Sequence, residues 1–306
     1  MKKTILTVLG CLILSAALPV TAFAQELIVG GQVVGIRVQT RGVLVSGTAE
    51  VETAEGPRSP AGEAGIREGD RILRINGTEL KGAADLIAAV GAAGGEPVEL
   101  TLCRGEETKS LRLKPVRSAE GQWMLGMWLR DAVTGIGTVT FCDPETGVFG
   151  ALGHGITDGA PAAQVPLAGG SITEAEITGI TPGSAGAPGA LNGEFGGRVL
   201  GSVEQSGSCG IYGRAERPLG SFTAEVGQVS TGPAAILATV DGSEVRDFSV
   251  CVTRVYRENG QEHMVLSVTD PELRSLTGGI VQGMSGSPIL QNGRLVGAVT
   301  HVSVST

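Results

Sequence analysis

Hydrolysis of an amide by a serine needs three groups: the hydroxyl, a base to take its proton, and a carboxylate to orient that base. Residues of these types occur in suggestive surroundings. Ser285 lies in Gly283-Met284-Ser285-Gly286-Ser287-Pro288. Its glycines let the backbone curl, so that main-chain amides can face a developing oxyanion. Gly, Ser and Pro also make turns with no chemistry at all. His154 is held between glycines in Leu152-Gly153-His154-Gly155, at the end of an apolar run, which is an irregular place rather than a core position. A lone histidine is usually structural, and only its pairing with Ser285 singles out His154. His263 reads as the polar start of a strand. His301 follows the segment after Ser285 and is expected near it. For the carboxylate, Asp158 stands four residues after His154 and Asp270 fifteen before Ser285, whereas Asp143 sits in a solvated turn. Spacing leaves Asp158 and Asp270 open, because such a triad is a matter of geometry. Neither the histidines nor the cysteines show metal-ligand spacing, so neither metal nor cofactor is expected.

Around Ser285 the sequence reads as strand, turn and hairpin. Ile280-Val281 leads in. Ile289-Leu290 and Leu295 to Val299 flank Asn292-Gly293, the strongest short hairpin signal. The stretch before it, from Trp123 on, repeats this pattern. Strands are expected at Ile136–Phe141 and Val148–Leu152 around Asp143-Pro144-Glu145-Thr146-Gly147. Others are expected at Ser171–Ile180, Arg198–Val203, Gln228–Thr231, Ala234–Val240, Phe248–Tyr256 and His263–Val268, with residues 181–197 as a surface loop. Such spacing indicates a barrel or sandwich. Composition agrees: 49 of 306 residues are glycine without a collagen period, and aromatics make up 3%, so the core must be aliphatic. A net charge of −8 offers no basic stripe for nucleic acid.

Residues 27–116 read as a separate small α+β domain. Two short strands, Gly35–Val38 and Gly42–Val45, flank a turn. A proline-opened helix then leads through Gly69-Asp70 to the strand Arg71–Ile75 and the turn Asn76-Gly77. Leu86, Ile87 and Val90 have helical spacing, and two alternating strands follow. The run SPAGEAGIREGDRILRING (Ser59–Gly77) resembles the bacterial PDZ signature. That resemblance implies a peptide added as a strand beside the groove helix. It would place Gly35, Ile36, Arg37 and Val38 in the receiving strand (Gly35 to Gln39), the carboxylate loop at Gly30 to Gly35, and Leu86 and Val90 in the helical wall.

Residues 1–24 read as an export signal or membrane anchor: Lys2 and Lys3, an apolar run, then Ala22-Phe23-Ala24. A Thr4–Ala24 span would also cross a bilayer. Cys103, Cys142, Cys209 and Cys251 are widely spaced, which suits buried thiols or one or two disulfides.

The stretches GIGTVTFCDPETGVFGALGHGITD (Gly135–Asp158), Gly210-Ile211-Tyr212-Gly213 and TGGIVQGMSGSPILQNGRLVGAVTHV (Thr277–Val302) resemble the SpoIVB family of serine peptidases. The resemblance covers nearly the whole chain, with the peptidase domain at 121–306. It implies a mostly β architecture, an α+β PDZ domain followed by a chymotrypsin-like double β-barrel. It implies His154 as base, Ser285 as nucleophile and Asp270 as the third member, with the amides of Gly283 and Ser285 as the oxyanion hole. It also implies self-cleavage, and then cleavage of a membrane-bound regulatory protein between mother cell and forespore, leading to sigma-factor activation. Members of the family continue beyond Thr-His-Val, so a second barrel short of its last element is expected. The alternative is a PDZ scaffold beside an impaired peptidase-like barrel.

Overall fold

The computed structural model describes residues 25–105, 107–156, 167–184 and 186–302. The stretch expected to be an export signal or membrane anchor (residues 1–24), Asp158 and the final four residues lie outside the described residues. Among those described, no helix is long and apolar enough to cross a membrane.

The protein is mostly β, with the PDZ-like α+β unit joined to a larger β-barrel unit. Two 16-residue strands, Val33–Thr48 and Met127–Cys142, form its spine. They pair antiparallel along nearly their full length, from Thr138 against Val33 to Met127 against Thr48. At one end they belong to a closed barrel. Met127–Cys142 pairs with Val148–Ala151, then come Gly210–Ala215, Ala190–Gly207 and Leu167–Thr181, and Leu167–Thr181 pairs back onto Val33–Thr48. Its core is aliphatic around one phenylalanine: Val34, Ile36, Val38, Val139, Phe149, Ile172, Leu200 and Ile211 are all buried. Each such side chain contributes about 1.5–3 kcal/mol relative to exposure, so a chain poor in aromatics still closes a core.

At the other end the same two strands enter the PDZ unit. Its core, with helices α1 (Pro60–Glu63) and α2 (Ala83–Ala92) beside it, joins Val43, Val45, Ile72, Leu86, Val90, Leu100 and Leu102 to Leu125, with Trp123, Met127 and Leu129 packed alongside. Three expectations are corrected here. The two short strands at 35–38 and 42–45 are one strand, bent at Gly42 (φ 74°) where a side chain would strike Ile72 O. Val34, Ile36 and Val38 pack in the barrel, while Trp123, Leu125, Met127 and Leu129 pack with the PDZ core. Residues 181–197 are mostly the hairpin flanks of Leu167–Thr181 and Ala190–Gly207 rather than loop.

Asp70 explains the Gly-Asp of the PDZ signature. Its side chain is buried, accepts both Arg104 Nε and Nη2 at 2.7 Å, and takes the Arg67 amide at 2.9 Å. Burial alone would raise its pKa, but Arg104 and the Arg67 amide outweigh that and hold the carboxyl below its ordinary value. The stability this contributes is complete above the unfolded carboxyl range and is lost as pH falls through the depressed folded value. Asp70→Ala is expected to cost about 3 kcal/mol, the low end for a broken buried pair, because Arg104 keeps some exposure. Urea unfolding at pH 7 and at acid pH checks this: the gap between wild type and variant should narrow as pH falls.

The second sheet has five strands in the order Gln261–Val268, Arg246–Glu258, Gly232–Ala238, Pro288–Gln291 and Arg294–Ala298. It curls until Met264 on its first strand meets Gly297 on its last. The hairpin at its end has φ 53° at Asn292 and 75° at Gly293, the signs a type I′ turn requires. The expected strand at Gln228–Thr231 is irregular backbone instead. Helix α3 (Pro271–Thr277) packs on this sheet through Leu273.

Candidate active site

His154 is delivered by a backbone reversal at the end of the strand Val148–Ala151. Leu152 (φ 70°) and Gly153 (φ 66°) are both left-handed. For Leu152 that conformation costs about 1–3 kcal/mol and persists only where surrounding structure enforces it. Gly153 must lack a side chain, since a Cβ there would sit 2.6 Å from Val299 O. His154 Nδ1 lies 2.9 Å from Gly155 O. A carbonyl only accepts, so the proton of the neutral ring sits on Nδ1 and Nε2 keeps the basic lone pair.

Ser285 is held between the barrel and the second sheet. Thr138 N donates to Ser285 O at 3.0 Å and Thr138 Oγ1 to Gly283 O at 2.9 Å. Thr140 Oγ1 donates to Gly286 O at 2.7 Å, and Gly286 N to Val299 O at 2.8 Å. The Ser285 hydroxyl donates to Thr300 O at 3.2 Å. The next residue, His301, places its ring 5.5 Å from that of His154, centroid to centroid. Ser285, His154 and His301 thus share one neighbourhood. Ser287, the other serine of the turn, is fully buried and its hydroxyl has no partner among the described residues. Only Ser285 is placed to meet a ligand.

The amides of the turn alternate. Those of Gln282, Met284, Gly286 and Ser287 are bound to main-chain carbonyls. Among the described residues, those of Gly283 and Ser285 are given to no main-chain acceptor. Two uncommitted donors beside a half-buried hydroxyl are what an oxyanion hole needs.

Asp270 is engaged by a helix. It is the N-cap of α3: Oδ1 accepts the amides of Glu272 and Leu273, each at 3.0 Å, and Oδ2 that of Ser249 at 3.4 Å. The Leu273 amide, against partial desolvation and with help from Ser249 and Glu272, holds its carboxyl below the usual value. None of its hydrogen bonds reaches His154, whose orienting contact is the Gly155 carbonyl. The four cysteines at 103, 142, 209 and 251 are free thiols, and the described residues hold no cluster of potential metal ligands.

The PDZ groove is built differently from the expectation, which is corrected here. Gly35, Ile36, Arg37 and Val38 are paired on both edges, with Ile136 to Val133 on one side and Thr173 to Gly170 on the other. A strand with no free edge cannot take another. The cavity beside helix α2 (Ala83–Ala92) measures 360 Å³ and is lined by Leu86, Ile87 and Val90 facing the run Gln122 to Leu129. Leu86 and Val90 are therefore groove-side, and the opposite wall is the start of Met127–Cys142. This strand also caps the helix, for Asp131 Oδ2 accepts the Ala83 amide at 2.7 Å.

The SpoIVB peptidase S55 family matches residues 121–306, more than half of the chain. The chain belongs to that family. A PDZ domain matches residues 53–104, within the α+β unit. Among curated proteins, one from Clostridium perfringens named as a zinc metalloprotease is 35% identical over 83 residues, 27% of this chain and 25% of that protein. One from Xylella fastidiosa with the same kind of name is 36% identical over 67 residues, 21% of this chain and 15% of that protein. The chain thus spans a quarter or less of these relatives. The solved PDZ domain of an SdrC-like protein from Listeria monocytogenes matches 30% of this peptidase-family chain and 90% of its own, at 21% identity and a TM-score of 0.25.

Thr138, Thr140, the Gly155 carbonyl and the groove wall at Trp123–Leu129 were not singled out in the sequence. Signals for three of them exist. Thr138 and Thr140 are two apart in a strand and so share a face. Met124-Leu125-Gly126-Met127 is a glycine among apolar residues at a strand start.

Proposed function

We propose that this protein is an exported serine endopeptidase in which Ser285 is the nucleophile and His154 the general base. The observation that carries this is the turn Gly283–Gly286, where a half-buried hydroxyl is flanked by two uncommitted amides beside an imidazole with a free Nε2. His154 Nε2 takes the hydroxyl proton and Ser285 Oγ attacks the peptide carbonyl. The amides of Gly283 and Ser285 receive the oxyanion. The protonated His154 then returns its proton to the leaving amine, and water, deprotonated by His154, releases the acyl group. Membership of the SpoIVB family supports self-cleavage and cleavage of a membrane-bound regulator between mother cell and forespore as the biological reaction, upstream of sigma-factor activation. The groove beside α2 would hold a peptide tail of the substrate or of this chain, with Leu86 and Val90 as one wall.

A fluorophosphonate probe tests the assignment of the nucleophile. Wild type should gain the probe mass on the peptide containing Ser285, and prior heat denaturation should abolish labelling. Labelling equal in native and denatured protein would remove Ser285 from the chemistry.

The third residue is open to a direct comparison. As a helix cap, Asp270 should tolerate Asn or Ser, which cap as well, with kcat within about threefold of wild type, whereas Asp270→Ala should lower the melting temperature. As the carboxylate behind the base it would lose about 10⁴ in kcat on becoming Asn, through the wrong tautomer. The contacts of Asp270 favour the first outcome, and kcat of the Asn variant decides.

A further inference from the structure

Beside His154 lies a cavity of 200 Å³ that the reaction above does not use. Its lining is aliphatic, with Ile36, Val133, Ile136, Leu152 and Ile156, and the His154 imidazole forms part of the wall. Thr134, Gly135 and Gly155 complete it; no lining residue carries a fixed charge. We propose that this cavity is the specificity subsite of the peptidase, taking one aliphatic side chain of the substrate. The proposal rests on the serine-peptidase reading.

Three observations support it. First, the floor is built at a cost. Leu152 is held in the left-handed region, a strain that survives where the surroundings over-determine it. Gly137 is a glycine because a Cβ there would lie 2.4 Å from Leu152 Cδ2 and 2.7 Å from Ile36 Cδ1. The residues that prevent a side chain at Gly137 are themselves part of the lining. Second, the size suits a side chain rather than a free ligand. Sites for small molecules usually run to about 300–1,000 Å³. An apolar space of this size gains most from one apolar group that displaces its water. Third, the position is right. Ile136 lies two residues before Thr138 on the same strand, about 7 Å at the strand rise, and Thr138 holds the Ser285 turn. A substrate running past Ser285 in extended form would bring a side chain one or two residues from the scissile bond to this opening.

The full chain, incubated with a proteome-derived peptide library, provides the test, with new termini read by mass spectrometry. Wild type should enrich Leu, Ile, Val or Met at one position within two residues of the cleaved bond. A matched peptide with Ala there should be cut about 10- to 200-fold more slowly in kcat/KM. Val133 is partly exposed at the wall. Val133→Phe should fill the space and shift that position toward Gly and Ala, and Val133→Ala should admit Phe. A thermal melt verifies that both variants fold. Ser285-dependent cleavage without aliphatic enrichment, or a profile that both folded variants leave unchanged, overturns the subsite and leaves the peptidase reading intact. If cleavage by wild type equals that by Ser285→Ala, the peptidase reading itself fails, and the subsite with it.

Discussion

Ser285→Ala is expected to lower kcat by about four to six orders of magnitude. The reason is chemical: no other hydroxyl is available at the turn, since Ser287 is fully buried. His154→Ala should cost nearly as much, because a neutral serine hydroxyl is a poor nucleophile without a base. The double variant should be no worse than either single one, as expected of groups acting as a unit. Residual activity above the uncatalysed rate would then come from the Gly283 and Ser285 amides and from substrate binding. The measurement is single-turnover cleavage of a peptide identified from the library, together with the mass of the purified protein over time. Wild type should generate self-cleavage fragments that Ser285→Ala does not. Fragments arising equally in both would end the peptidase assignment and favour the scaffold alternative, in which the PDZ groove alone acts.

The second large effect is expected at Gly286. Its φ is 96°, and a Cβ would lie 2.1 Å from Thr138 O and 2.5 Å from Leu152 N. Neither neighbour can give way. Thr138 O receives the Leu152 amide, and Leu152 leads directly into His154. Gly286→Ala must therefore separate the serine turn from the strand that aligns it with the histidine. A displacement of about 1 Å at reacting atoms can cost 10²-fold, so kcat/KM should drop by at least that factor, with a lower melting temperature. Gly197→Ala is the control, since a Cβ there meets nothing within 4 Å and φ is ordinary. Thr140→Val probes the same turn more gently by removing the buried bond to Gly286 O. It should destabilise by about 1–3 kcal/mol through an unsatisfied carbonyl. Near-wild-type activity in Gly286→Ala would show that the turn is not the rigid element described above.

Much of the architecture was legible beforehand because it rests on local chemistry. Asn292-Gly293 fixes a hairpin by the φ values both residues tolerate. Gly69-Asp70 marks the PDZ unit because the carboxylate closes its own turn at the Arg67 amide. The turn around Ser285 stands out because its glycines allow the conformation that exposes amides. Errors arose where a residue's role depends on what lies far away in the chain. Gly35–Val38 reads as a free strand, yet its two edges are filled by segments about 100 and 135 residues later. Asp270 has the sequence context of a triad aspartate, and the same Asp-Pro start also caps a helix; the comparison of its Asn and Ala variants decides between the two uses.

By itself, then, the sequence determined the kinds of local element, the peptidase family and the Ser285 and His154 candidates, since each of these depends on a few neighbouring residues. The tertiary structure decided which groups meet. It set Thr138 and Thr140 under the Ser285 turn from 145 and 146 residues away. It turned His154 toward His301, gave Asp270 to a helix, and made one strand both the wall of the PDZ groove and the support of the serine. Closure of a β-barrel brings these groups together through long-range pairing, and pairing partners leave no mark in the local pattern of either strand.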